Sequence, residues 1–205
     1  WLTAGCKAHG YALSFKDIAN AAKCRWGSKV VDAILMISNT INNSERIKSA
    51  VHAAQVTAYS SIRAIAVNAP TRFACQLFIA RDIHASKAAL KATVLSEDWA
   101  DVSSSSIHGN RLRDAILGNG EYSSFWQRLD RYLELMQPFS DAIHQLEADR
   151  PMLSQVHDVH LKLHEHTAAF EKKYPECKGV VALYNDRYKS TIYDAATLAA
   201  FCIDP

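Results

Sequence analysis

The chain reads as a mainly α protein on three observations: few helix breakers, apolar residues at three- and four-residue steps through most segments, and two long heptad-spaced stretches after residue 124. Of its 205 residues, 49% are hydrophobic and 21% charged, enough for a sizeable core in one domain or a pair of small ones. Seven Gly and five Pro make about 6% of the chain, well under ordinary usage. That excludes a collagen-like, disordered or many-turned β protein. The longest mostly apolar stretch, residues 30–41, is interrupted by Asp32 and Ser38 and falls short of the roughly 20 residues that cross a bilayer, so no membrane span is expected. Five Cys (Cys6, Cys24, Cys75, Cys177, Cys202), odd in number and without a short paired spacing, suit reduced thiols in the cytosol or nucleus. The first residue is Trp rather than Met, which points to a segment of something longer.

Residues 9–23 (His9, Ala12, Leu13, Phe15, Ile18, Ala19, Ala22) and 30–41 (Val30, Val31, Ile34, Leu35, Ile37, Ile41) carry apolar groups at helical steps and predict two helices. Asn42, Asn43 and Ser44 break the second and offer Ser44 as N-cap of a helix over 45–55, with Glu45 favourably placed in its first turn. The run Ile62, Ala64, Ile65, Ala66, Val67 fits a short strand or a buried helix equally, because periodicity does not separate them. After Pro70, Thr71 is a cap candidate for a long helix reaching Leu95, and Ser103–Ser106 reads as a loop. A shorter helix over 110–117 ends at Gly118 and Gly120, where a left-handed residue is wanted.

Phe125, Leu129, Tyr132, Met136, Phe139, Ile143 and Leu146, then Leu153, Val156, His160, Leu163, Thr167, Phe170 and Tyr174, alternate steps of four and three residues. Each set is a heptad seam. The short turn at 148–151, with Asp149 as cap and Pro151 early in the next helix, predicts an antiparallel αα-hairpin, its first helix kinked at Pro138. Residues 179–192 and 195–201 predict two last helices. No internal repeat and no glycine-rich phosphate loop is present.

Charge is polarised: +6 over residues 1–120 (14 basic, 8 acidic) and −4 over 121–205 (9 basic, 13 acidic). A basic half can hold phosphates, although at this density a solvated face explains it as well. Cys6 and His9 form C-x-x-H ahead of the first helix; lacking a second ligand pair, they read as a thiol and imidazole at a helix start rather than as zinc ligands. His157, His160 and His164 share one helix face, and imidazoles in such a row can bind a transition metal. A seam histidine donating to a neighbour is the commoner arrangement. The carboxylates Asp130, Glu134, Glu147, Asp149, Glu97, Asp98 and Asp101 read as solvated surface.

Three pieces in order carry a resemblance: Gly5-Cys6-Lys7-Ala8-His9 running into Ala12-Leu13-Ser14-Phe15-Lys16-Asp17-Ile18; Thr71-Arg72-Phe73-Ala74; and Asp186-Arg187-Tyr188 followed by Ala195-Ala196 and Phe201-Cys202-Ile203-Asp204-Pro205. Together they resemble the hAT superfamily of DNA transposases: its C-x-x-H segment and following helix, its Thr-Arg-Trp entry to a long helix with Phe in place of Trp, and its closing Arg-Trp and His-Ala-Ala motifs. The resemblance covers nearly the whole chain. It implies the trailing part of a ribonuclease H-like α/β core together with the first helices over residues 1–55, and a helical insertion domain over 56–205. In the family two Asp and one Glu hold divalent ions, Mg or Mn, for strand cleavage and transfer. By position those acids would flank this segment, so no cofactor is expected within it and it is not expected to cut DNA alone.

The resemblance further implies that Arg72 and Phe73 contact DNA, with the guanidinium on phosphate and the ring stacked on a base. Cys6 and His9 would lie beside the active site. Transposon-end DNA is the implied partner and the nucleus the implied location; no membrane and no small-molecule substrate is expected, and homo-oligomer formation stays open. Two further readings come from the residues alone. One is a helical protein–protein interaction module built on the hairpin over 125–174. The other is a metal-dependent helical enzyme built on His157, His160 and His164.

Overall fold

Helix propensity and helical spacing dominate locally, and all regular structure follows them. The computed structural model describes residues 7–69, 74–147 and 153–203, with no strand among them. In chain order the helices are α1 (Lys7–Ala19), α2 (Arg25–Asn42), α3 (Glu45–Tyr59), α4 (Cys75–Ala85), α5 (Lys87–Val94), α6 (Trp99–Ser103), α7 (Gly109–Leu117), α8 (Phe125–Leu146), α9 (Gln155–Lys173), α10 (Val180–Arg187) and α11 (Ala195–Ile203). Single 3₁₀ turns occupy Gly120–Tyr122 and Pro175–Cys177, and a π-turn occupies Tyr188–Ile192. The mainly α expectation is met. Residues 7–55 form α1, α2 and most of α3, with the turns between them, where three helices are expected.

The chain divides into two compact units, Lys29–Leu133 and the combination of Trp1–Ser28 with Glu134–Pro205. The helix α3 runs through residues 55–56, the division the resemblance implies. In the 29–133 unit the apolar stripe of α2 (Val30, Val31, Ile34, Ile37, Ile41) is buried, and α3 packs against α5 and α6. Ser44 caps α3 as its side chain predicts, accepting from the Ile47 amide at 3.3 Å.

Residues 61–69 are neither strand nor buried helix. They form an irregular strap with Ile62 and Val67 exposed and only Ile65 of the apolar run buried. With no neighbouring strand to pair with, its backbone groups are met by side chains. Gln55 Nε2 donates to the Arg63 carbonyl (2.8 Å) while Gln55 Oε1 accepts from the Arg63 amide (3.1 Å). Ser38 Oγ donates to Ala66 O (2.7 Å), Asn42 Nδ2 to Ile65 O (3.1 Å), and the Ala66 amide to Asp82 Oδ2 (2.9 Å).

The single long helix expected up to Leu95 is two helices, α4 and α5, interrupted at Ser86. The fully buried Ser86 hydroxyl accepts from Gln55 Nε2 (2.9 Å), a tertiary bond that no local pattern announces. Ala74, at φ 57°, precedes α4; the expected cap, Thr71, lies outside the described residues, as do Asp149 and Pro151 of the expected turn. The serine run expected as a loop supplies the end of α6 at Ser103 before the chain turns. Gly118 ends α7 at φ 75°, as its position predicts.

In the second unit α1 packs against α10 and the π-turn, and α9 against α10 and α11. Gln145 Nε2 donates to Gln155 Oε1 (2.8 Å), His166 Nε2 bonds the Leu135 carbonyl oxygen (3.2 Å), and Glu134 accepts from Lys173 Nζ (2.7 Å) and the Tyr174 hydroxyl (2.8 Å). Pro138 lies inside α8 without ending it.

Gly27 sets how closely the start of α2 approaches the end of α1. A Cβ at this position would stand 2.5 Å from the Ile18 carbonyl oxygen and 2.6 Å from Ile18 Cγ2. Helix propensity alone favours Ala over Gly by about 1 kcal/mol, whereas overpacking costs about 1–3 kcal/mol. Because one obstacle is backbone, the second effect wins. Gly27→Ala is therefore expected to lower the urea midpoint, and a raised midpoint would refute this account of the contact.

Candidate functional site

Asp17 lies on the buried face of α1 beside Ile18, and the fold meets it with a cation from the far end of the chain. Arg187 Nε donates to Asp17 Oδ2 (2.7 Å) and Nη2 to Oδ1 (2.8 Å), a two-pronged contact between residues 170 apart in sequence. Lys23 Nζ adds a third bond to Oδ1 (2.6 Å) from the turn after α1. Arg187 Nη1 also reaches Thr191 Oγ1 (3.2 Å), so the guanidinium is held on both sides. Asp17 is only 5% exposed. Burial alone would raise its pKa, but the hydrogen bonds and charges of Arg187 and Lys23 outweigh that and hold the carboxyl below its ordinary value.

Asp17, Lys23, Asp186, Arg187 and Ser190 line one open cavity of about 450 Å³. At its edge Glu171 Oε2 accepts from the Gly179 amide (3.1 Å) and the Val181 amide (3.0 Å). This satisfies two donors at the start of α10.

A second constellation runs along α9, whose imidazoles face α10 and the π-turn. His157 Nδ1 lies 3.4 Å from the Tyr188 hydroxyl, His160 Nδ1 2.9 Å from the Tyr184 hydroxyl, and His164 Nδ1 3.0 Å from Asn185 Oδ1. The His160 ring stacks on Tyr188, centroids 3.3 Å apart and planes 7° from parallel. Burial, then the nearby His164 and His157, press the His160 pKa down to about 4. Burial also raises the Tyr184 hydroxyl, with Tyr11 adding to it. Each Nδ1 is thus engaged within the protein, and the row works as a packing seam. Among the described residues no group of three or more His, Cys, Asp or Glu is placed to hold a metal ion.

Of the residues singled out from sequence, His9 lies on α1 with its side chain exposed. Cys6, Arg72 and Phe73 lie outside the described residues. The expected surface carboxylates include three with partners: Asp130 Oδ1 meets His84 Nε2 at 2.9 Å, Glu147 Oε2 lies 4.0 Å from His144 Nδ1, and Glu134 binds Lys173 and Tyr174. Burial opposes Glu134 ionisation, yet its bonds to Lys173 and Tyr174 hold its pKa below the ordinary value. The Asp17–Arg187 pair escaped sequence reasoning, because nothing local marks two residues as partners. For the α9 row a signal existed: histidines at 157, 160 and 164 match the polar groups at 184, 185 and 188 on a second helical face.

Among the described residues no helix is long and apolar enough to cross a membrane. No protein-family model, no curated protein and no solved structure matches this chain.

Proposed function

We propose that the chain is an interior segment of a hAT-type DNA transposase, supplying DNA-end contacts and scaffold to a catalytic core whose metal-holding acids lie outside it. The observation that supports this reading is the Asp17–Arg187 pair. The first and last motifs carrying the resemblance, Lys16-Asp17-Ile18 and Asp186-Arg187-Tyr188, meet there in a bidentate contact at 2.7 and 2.8 Å. Three short motifs scattered over a chain can arise from composition alone; two of them bonded to each other is what one shared framework requires. Lys7 Nζ also donates to the Ile192 carbonyl oxygen (2.7 Å) and to Asp194. These bonds tie the start of α1 to the residues that follow α10.

In this reading α8 and α9 are the antiparallel heptad hairpin of the insertion domain, and α1 to α3 adjoin the ribonuclease H-like core. Arg72 grips a phosphate of the transposon end while Phe73 stacks on a base. Fluorescence anisotropy with hairpin DNA at low salt tests the claim. Arg72→Ala is expected to weaken binding about tenfold, in the range of one charge-assisted phosphate contact, and Phe73→Ala by the 1–3 kcal/mol typical of a stacked base. DNA is expected to remain uncut by this chain with Mg or Mn present. Absence of affinity, together with an unchanged Arg72→Ala protein, defeats the proposal.

One observation favours an interaction module instead, on α11 rather than on the hairpin over 125–174. The helix α11 is apolar along most of its length, yet only Thr197 is buried and Leu198, Phe201 and Ile203 are exposed. If DNA binding fails and a protein partner protects these side chains, that reading replaces the first.

A further inference from the structure

Beyond Arg72 and Phe73, the 29–133 unit carries a second cationic site that the resemblance does not mark. We propose that the cavity between α2, α7 and the start of α8 binds a phosphate group together with the sugar attached to it. The cavity is about 190 Å³ and is lined by Lys29, Asp32, Arg111, Glu121 and Arg128 around a floor of Val30, Ala33, Tyr122 and Phe125. Drug-sized ligands occupy roughly 300–1,000 Å³, so this space suits one phosphate and its sugar rather than a whole dinucleotide. The floor is buried, with Val30 at 2% and Phe125 at 3% exposure, and the charges sit on the rim.

Three cations converge on this rim, and two of them are held in place before any ligand arrives. Arg128 Nη2 donates to the Ser123 carbonyl oxygen and reaches the Glu121 carbonyl oxygen (3.4 Å). Arg111 Nη2 donates to the Tyr122 hydroxyl (3.1 Å). A guanidinium has five N–H donors, so both retain free ones. Lys29 forms no ion pair among the described residues.

The Glu121 carboxylate already rests on Arg111, but loosely: 3.6 Å apart, with side chains 71% and 55% exposed. A planar two-oxygen anion on a guanidinium marks where a phosphate would bind bidentately. An exposed pair at that distance is weak, so Glu121 is displaceable. Asp32, one turn from Lys29 on α2, is the other carboxylate that opposes an anion there.

The test uses the 205-residue chain with two probes at low salt: a fluorescently labelled thymidine oligonucleotide, read by anisotropy, and ribose 5-phosphate, read by calorimetry. Arg111→Ala is expected to weaken binding about tenfold and to lower the salt slope by about one. Lys29→Ala, at an exposed residue of α2, is expected to weaken it severalfold with unchanged thermal unfolding. Glu121→Gln and Asp32→Asn should each tighten it. Arg113→Ala, which removes the same charge from the opposite side of α7, should change nothing.

Binding of both probes assigns the site to a free sugar phosphate; binding of the oligonucleotide alone assigns it to a nucleic-acid backbone. Either outcome supports the cavity. The proposal fails if neither probe binds, if Arg113→Ala weakens binding as much as Arg111→Ala, or if Glu121→Gln leaves it unchanged. Arg111→Ala tests this site and Arg72→Ala the transposase reading, so the failure of one is distinguishable from the failure of the other.

Discussion

Arg187→Ala is expected to lower folding stability by about 3–5 kcal/mol at pH 7, because it strands a buried carboxylate whose principal partner is gone. Asp17 is 5% exposed, and Lys23 alone, its side chain 44% exposed, supplies one bond where there were three. Arg187→Lys restores the charge without the two-pronged geometry and should recover only part of the loss.

The pH dependence has a definite sign. The folded Asp17 pKa lies below its unfolded value, so its contribution is full above the unfolded pKa of about 3.9 and disappears as pH falls through the folded value. Urea unfolding of wild type and Arg187→Ala at pH 7 and at pH 3 should therefore show a gap that narrows at pH 3. Replacing both partners together by apolar residues, Asp17→Leu with Arg187→Met, should cost less than Arg187→Ala alone. A loss under 1 kcal/mol for Arg187→Ala would show that the pair does not hold α1 to α10.

The second large effect is acid-sensitivity seated in the α9 row. Folding lowers the His160 pKa from 6.5 to about 4, so the unfolded chain takes up the proton first. Stability is full above pH 6.5 and declines as pH falls from there through about 4. The neighbours explain the direction. Burial comes first, and His157 and His164 on the same helix add positive charge on protonation. From α10 and the π-turn the facing groups are the hydroxyls of Tyr184 and Tyr188, neither of which supplies an anion. After discounting for the part of the ring that meets water, the decline is about 2 kcal/mol across the window. His160→Gln should flatten the stability profile between pH 7 and 4.5. NMR titration of the His160 Cε1 proton offers an independent reading: a midpoint near 6.5 would remove the basis for the prediction.

Much of the local structure was legible in advance. The stripe Val30, Val31, Ile34, Ile37, Ile41 specifies α2 and its buried face, Ser44 specifies the start of α3, and Gly118 the end of α7. Each depends on side chains within a turn of one another. The run 62–67 failed for the opposite reason. Its apolar residues suggest burial, but the segment is stabilised by Gln55, Ser38, Asn42 and Asp82 bonding its backbone, and their contribution cannot be read from the run itself. Ser86 is similar: it interrupts a helical pattern through a bond to a residue 31 positions away.

Of the candidate site, the histidines of α9 and the polar groups at 184, 185 and 188 were visible as two helical faces, while the meeting of those faces was not. The three-plus-four spacing of α9 admits a seam against any neighbour, and only packing selects α10 as the occupant beside His160.

What the amino-acid order determined by itself is the helical character, most helix ends, and the faces that must leave water, because these follow from dihedral preference, capping and spacing over a few residues. Tertiary structure alone decided which distant charges neutralise each other, above all Asp17 with Arg187, where a helix pattern gives way at Ser86, and which cations gather around one cavity at Lys29, Arg111 and Arg128. Those outcomes depend on desolvation and on distances through space, and neither quantity exists until the helices are packed.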